Sequence, residues 1–279
     1  MSNPRFQTPP KLFWCALQNR NRFAHGQNDR LPALAADLVD RRVAGIVTAG
    51  TPATLAAKAA TATVPIVFNT GVDPVQFGFA ASLSRPGGNL TGVVILSGDL
   101  AAKKLEVLHE LLPDAAVVAM LVNPANPVVE PESRSTQDAA RSLGVQLHIL
   151  RASTAAEIDA AFASLAKLRA RALVVGDDSY FINQRAQIMA LAARDAVPTI
   201  SGWRAFPLAG GLMSYGTDLA DAYRQVGLYA GKILKGIRPA DLPVQQVVKI
   251  EMVVNLKTAK TLGITFPLPL IGRADEVIE

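Results

Sequence analysis

The chain has 279 residues, half of them apolar but only 6% aromatic, enough for one large or two modest domains. Its formal charge of +5 is spread along the chain with no Lys/Arg run, which argues against a nucleic-acid surface. The single Cys15 excludes an internal disulfide, and no stretch approaches the roughly 18 apolar residues of a membrane span.

Before residue 23 only Leu12–Leu17 offers a short apolar element, and this region lacks the apolar core and cleavage site of an ordinary signal peptide. From Asp29 the pattern becomes regular. Leu31, Leu34, Ala35 and Leu38 recur at helical spacing, and Val43–Val47 then reads as a strand ending in Thr48-Ala49-Gly50. Thr51-Pro52 predicts an N-cap followed by proline at the first helical position, with the helix running through Ala60. In the stretch Val64–Gly92, a strand from Pro65 to Phe68 breaks into a polar loop, Asn69–Asp73. Asp73-Pro74 reads as a further capped helix start, and Arg85-Pro86-Gly87-Gly88-Asn89 as a turn before the strand Thr91–Leu96.

The alternation continues with a helix over Asp99–Leu112, which places Leu105, Leu108 and Leu112 on one face, and a strand over Val117–Val122. The polar loop Asn123–Pro127 leads to a helix that ends at Leu143 and is closed by Gly144. After the strand Val145–Leu150, Thr154 and Glu157 form a capping box whose helix turns Ile158, Phe162, Leu165 and Leu168 inward. Ala172–Val175 is a strand ending in Gly176-Asp177-Asp178, followed by a helix over Asn183–Arg194. Pro198–Ile200 begins a strand before Ser201-Gly202-Trp203-Arg204, and Leu212–Tyr215 is a short apolar run. A helix from Leu219 to Leu234 stops at Gly236, and Val247–Val254 and Leu256–Leu262 read as the last strand and helix.

This βαβα order predicts an α/β fold with doubly wound parallel sheets. Two blocks separate near Leu96–Asp99, and Gly210–Gly216 offers a second crossing. Two lobes joined in this way place a cleft between the carboxyl ends of both sheets.

The polar residues after the strands cap helices in any α/β protein, so each has a structural explanation by itself. Their common side is what points to a ligand site. Trp203-Arg204 would hold an amphiphilic anion between an aromatic face and a guanidinium, or Trp203 simply packs on a neighbouring loop. Asp177-Asp178 would ligate a cation or an amine, or cap the next helix. Tyr180 and Phe181 offer either an aromatic wall or a helix's buried face. Catalytic patterns are lacking: His25, His109 and His148 stand in unrelated contexts, with neither metal spacing nor a Ser/His/Asp arrangement. No G-x-G-x-x-G follows a strand, no G-x-x-x-x-G-K-[ST] occurs, and Pro86-Gly87-Gly88 is a tight turn rather than a phosphate cradle. No cofactor or metal is expected.

The segments DRLPALAADLV, TPATLAAKAATATVPIVFNTGVDPV, SLSRPGGNLTGV, RALVVGDDSYF, AGGLMSYGTDLADAYRQVGLYAGKILKGIRPADLPVQQ and NLKTAKTLGITFP occur in this order. From about Phe23 to Glu279 the chain thus resembles the ABC-transporter substrate-binding protein family of the tryptophan/tyrosine-binding-like type. The resemblance implies a type I periplasmic binding fold, with two Rossmann-like lobes, a hinge of crossing strands and capture of ligand by closure. Lobe I would take residues 24–96 and 216–246, and lobe II 97–215 and 247–279. A small solute, such as an aromatic or carboxylate-bearing amino acid, would be passed to a permease and its ATPase without catalysis. The resemblance implies a periplasmic monomer, whereas residues 1–23 as written, without a signal peptide, imply a cytoplasmic one. Carried over by position, Gly50, Thr51, Asn69, Thr70 and Asp73 face the cleft from one lobe, and Asn123, Asn126, Asp177, Trp203 and Arg204 from the other.

Two other expectations compete: an α/β enzyme on a small anion with Asp177 or Asp178 as acid/base, and a cytoplasmic small-molecule sensor. The family ordinarily has an export signal and a strand–helix–strand before the equivalent of Phe23, and residues 1–23 do not resemble them. A truncated, mis-started or frame-shifted reading frame, with a first sheet lacking its central strand, is the corresponding expectation.

Overall fold

The computed structural model describes residues 21–24, 26–95 and 97–279, the side chains of 97–99 excepted. The apolar element read at Leu12–Leu17, His25 and the strand end at Leu96 lie outside the described residues. The chain first runs through α1 (Leu31–Asp40), β1 (Ile46–Ala49), α2 (Thr51–Ala60), β2 (Ile66–Thr70) and β3 (Leu90–Val94). Next come α3 (Ser97–Leu111), β4 (Val117–Val122), α4 (Val129–Leu143), β5 (Gln146–Arg151), α5 (Ala155–Leu168) and β6 (Ala172–Val175). These are followed by α6 (Ser179–Asn183), α7 (Arg185–Arg194), β7 (Thr199–Ser201), α8 (Ala205–Leu208) and β8 (Met213–Thr217). The remainder holds α9 (Leu219–Leu234), β9 (Gln245–Gln246), β10 (Ile250–Asn255), α10 (Leu256–Leu262), α11 (Leu268–Ile271) and β11 (Glu276–Ile278).

The strands form two sheets, ordered β1-β2-β3-β9 and β11-β10-β8-β7-β6-β4-β5. Among the described residues every pairing is parallel except β8 with β10. That exception to the parallel expectation has a topological cause. After β8 the chain crosses to build α9 and β9 on the smaller sheet, then comes straight back into β10 from the opposite direction. The crossing read at Gly210–Gly216 accordingly falls just later, because β8 stays in the larger sheet to Thr217 and α9 packs on β2 and β3. Asp218 joins two crossings: its N–H donates to the Lys249 carbonyl at 3.0 Å, and its carboxylate accepts from Lys249 Nζ at 2.7 Å.

The larger sheet is covered on both faces, which is why its strands read as continuous apolar runs. Along β4, Val118, Met120 and Val122 pack with Leu105, Leu108 and Leu111 of α3, while Ala119 and Leu121 pack with Ile158, Phe162 and Leu165 of α5. Leu111 rather than Leu112 completes the buried stripe of α3. In the smaller sheet α9 lays Ala222, Val226, Tyr229 and Ile233 against Val67 and Val93. β1 is an edge strand with Val47 56% exposed, and among the described residues no strand pairs with its outer side. No helix among the described residues is long and apolar enough to cross a membrane.

The capping box at Thr154 and Glu157 is formed, and Gly144 ends α4 in a left-handed conformation. Thr51 is not the cap of α2 but its first residue; its hydroxyl meets Thr70 Oγ1 at 2.7 Å instead. Asn69 and Thr70 belong to β2 and not to a loop, since Asn69 pairs with Ala49 and Val93, and Thr70 with Val94. At Asp73-Pro74 there is no helix. Asp73 Oδ1 does accept from the N–H groups of Val75 and Gln76, but Phe79 and Ala80 both fold back onto the Pro74 carbonyl, leaving a string of turns. The single helix expected over Asn183–Arg194 is divided at Gln184 into α6 and α7. Asn89 pins the glycine-rich turn, donating from Nδ2 to the Val64 carbonyl at 2.8 Å.

Candidate functional site

The parallel strands of the two sheets end at a common cleft, and the loops that follow them line it. Gly50, Thr51, Asn69 and Thr70 line it from the smaller sheet, and Asn126, Asp177 and Trp203 from the larger. α2 starts at this edge; Pro52 has no N–H and the Thr54 N–H donates to the Gly50 carbonyl at 3.2 Å, which leaves the N–H groups of Thr51 and Ala53 without a partner in the helix beside the cleft. Ile95, Val128, Ile182, Leu219 and Tyr223 add an apolar and aromatic lining, and the cavity between the walls measures about 40 Å³.

Asn69 is 4% exposed, and among the described residues its Oδ1 has no hydrogen-bond partner. A buried oxygen left unpaired costs about 1–3 kcal/mol, so this one on the cleft wall asks for a donor. Asp177 and Asp178 divide their work. Asp178 Oδ1 accepts from Asn123 Nδ2 at 3.0 Å and from the Tyr180 N–H at 2.8 Å, and Oδ2 accepts from Asn126 Nδ2 at 2.7 Å. It is therefore the cap of α6 and the anchor of the β4 loop. Asp177 stays at the cleft, its Oδ1 accepting from Lys104 Nζ at 2.9 Å.

Three residues read as ligand-facing are placed elsewhere. Asp73 is exposed on its turn. Asn123 reaches Asp178 rather than the cleft lining. Arg204 is ion-paired with Glu251 at 3.4 Å and with Glu276. Trp203 thus faces the cleft without its neighbouring guanidinium.

Behind Asp177 lies a buried ionic cluster. Lys104 Nζ donates to Glu132 Oε1 at 2.8 Å as well as to Asp177, and the Asp177 N–H donates to both Glu132 oxygens at 3.2 Å. Burial drives the Glu132 carboxyl up to about 7; Lys104 opposes this and Asp177 adds to it. For Lys104 burial also works against the charge, but two carboxylates outweigh it and hold the ammonium above its usual range. The two shifts agree because the lysine faces two anions, whereas Glu132 faces one cation and one anion. Among the described residues no group of His, Cys, Asp and Glu is arranged to hold a metal ion.

The family model for ABC transporter substrate binding proteins matches residues 16–278. The chain belongs to that family. The match starts at residue 16 rather than near Phe23, so it reaches further toward the N-terminus than the segments quoted above. The chain is 28% identical over 243 residues to a tyrosine-binding protein of Clostridioides difficile (strain R20291), covering 86% of this chain and 69% of that protein. A conserved domain protein of Vibrio cholerae superposes with a TM-score of 0.82 at 25% identity, over 90% of this chain and 83% of that one. An ABC domain from Streptococcus pneumonia in complex with L-Trp also gives 0.82, at 24% identity, over 91% of this chain and 87% of that one. The solved structures include type I periplasmic binding proteins, and the two Rossmann-like lobes seen here follow that fold.

In this substrate-binding protein the sequence reading passed over Ser179, Tyr223, Lys104 and Glu132. For Lys104 a signal existed: it lies four residues from both Leu100 and Leu108, on the buried stripe of α3. Tyr223 gave no such signal, because it is 48% exposed and lies off the buried stripe of α9 formed by Ala222, Val226, Tyr229 and Ile233. Ser179 and Glu132 had none, because their surroundings come from distant parts of the chain.

Proposed function

We propose that this substrate-binding protein captures an amino acid with an aromatic or other large apolar side chain. The observation that carries the reading is the buried, unpaired Asn69 Oδ1, set in the cleft with Asp177 on the facing lobe and Trp203 and Tyr223 in the lining. In this reading the α-ammonium donates to Asn69 Oδ1 and Asp177. The carboxylate accepts at the start of α2 beside Gly50 and Thr51. The side chain lies on Trp203, Ile182 and Tyr223. Asn126, Thr70 and Ser179 complete the polar rim, and Asn123 acts through Asp178.

The names of its relatives, one tyrosine-binding and one complexed with L-Trp, support the same ligand class. Residues 24–96 and 218–247 form lobe I, and 97–217 and 248–279 lobe II, the boundaries at 215/216 and 246/247 moving just later because β8 runs to Thr217 and Val247 donates to the Val94 carbonyl. The protein acts as a periplasmic monomer that delivers its ligand to a permease and ATPase, binding without turnover. Thermal shift against L-tyrosine, L-tryptophan, L-phenylalanine and their deaminated acids tests this. The amino acids should raise Tm and remain chemically unchanged. Stabilisation by the deaminated acids alone, or consumption of the stabilising compound, overturns the reading.

A further inference from the structure

The cluster behind Asp177 is more than packing. Lys104 has a side-chain exposure of 0%, Glu132 2% and Asp177 6%, so two carboxylates and one ammonium share a site with almost no water. Three contacts fix the Asp177 carboxylate. Lys104 donates to Oδ1, Glu132 accepts from the backbone N–H, and Gly202 packs so tightly that a Cβ there would lie 2.1 Å from the same Oδ1. Among the described residues no group donates to Oδ2, and Asp177 lines the cleft. With all three groups ionised the cluster carries one surplus negative charge, which either a proton or a cation from the cleft can balance.

We propose that Lys104 and Glu132 are positioning residues for Asp177, and that capture of an ammonium-bearing ligand at Asp177 is linked to loss of a proton from Glu132. This rests on the amino-acid reading of the cleft. Lys104 on α3 and Asp177 after β6 are the charged groups acting on Glu132. Asp178 alongside is occupied by Asn123, Asn126 and the Tyr180 N–H. The raised Glu132 carboxyl holds its proton in the empty protein below about pH 7. An arriving ammonium favours the ionised form, so affinity rises with pH through that range and levels off above it.

Calorimetry with L-tyrosine, L-tryptophan and L-phenylalanine between pH 5.5 and 8.5 tests the linkage. Dissociation constants should fall by up to about tenfold per pH unit below pH 7, with proton release seen as a buffer-dependent enthalpy. Glu132→Gln should flatten the profile. Relative to E132Q, the double variant K104M/E132Q loses only the Lys104 cation, which by charge alone would favour an ammonium; it should nonetheless bind at least about tenfold more weakly, because the Asp177 carboxylate is no longer held in place. A pH-independent wild-type affinity, a retained slope in E132Q, or a double variant equal to E132Q overturns the proposal.

A measurement without ligand keeps the two readings apart. The Tm of the wild type should fall relative to E132Q as pH rises from 5.5 to 8.5, because the raised carboxyl must ionise in the folded state. If no amino acid binds at any pH, the cleft reading fails, and the ligand linkage that rests on it fails with it. The Tm comparison still decides whether Glu132 is the titrating group.

Discussion

Asn69 shows how a single side chain can be costly to the fold and useful to the site. It sits at the end of β2 with backbone pairs on both sides, while its Oδ1 is buried and unpaired. Asn69→Ala removes an unsatisfied acceptor, so urea unfolding should show stability unchanged or raised by up to about 1 kcal/mol. The same variant should weaken amino-acid binding by about 10- to 100-fold in calorimetry, since a hydrogen bond to a charged group contributes about 1.5–3 kcal/mol. Asp178 is the opposite case. Asp178→Ala leaves the Asn123 and Asn126 amides and the Tyr180 N–H without their acceptor. It should cost about 2–4 kcal/mol of unfolding free energy, read as a lowered urea midpoint.

Among the elements, the hinge is where local and long-range signals meet. Asp218 caps α9 through the N–H groups of Ala220 at 2.9 Å and Asp221 at 3.1 Å, and it also holds Lys249 on the returning crossing. Its carboxyl lies below the usual range, chiefly through the Lys249 hydrogen bond, with burial opposing. A depressed carboxyl stabilises the fold above its unfolded value and loses that contribution as pH falls through the folded one. Asn caps as well as Asp, so Asp218→Asn isolates the charge. At pH 7 it should cost about 0.5–1 kcal/mol, a modest figure because Lys249 is largely exposed, and the cost should vanish by about pH 2–3. Equal losses at both pH values would assign the effect to the cap. The Asp218 cap itself was within reach of sequence reasoning, as were the Thr154 box, the Gly144 stop and the apolar runs of β4 and β6, because each is written within a few neighbouring residues. The fate of Arg204 was not, since its partners stand 47 and 72 positions away, and Lys104 meets its own at 28 and 73. Asn69 and Thr70 looked like loop residues because polar side chains in a strand make sense only once the neighbouring strands and the cleft are in place.

At the scale of the whole molecule the lobes lie close to contact. A Cβ at Gly50 would come within 3.2 Å of Ser179 Oγ, and one at Gly26 would overlap the Tyr180 ring. The cavity of about 40 Å³ is far below the roughly 300–1,000 Å³ of a pocket that takes a small organic ligand. Rotation of Trp203 cannot supply the difference, because it is 7% exposed and packed in the core cluster that also holds Phe206 and Met189. Entry therefore requires the lobes to part about the three crossings after β3, β8 and β9, a hinge motion of the kind that binding proteins use. In solution the ligand-free protein should populate a more open form, and a saturating amino acid ligand should reduce the radius of gyration measured by small-angle X-ray scattering. Tightening Asp218–Lys249 should not abolish this contraction, since that pair joins the strands side by side and leaves rotation about them free. An unchanged radius on saturation would mean that the ligand enters by local movement of the α9 and β6 loops, and the crossings would then be braces rather than a hinge.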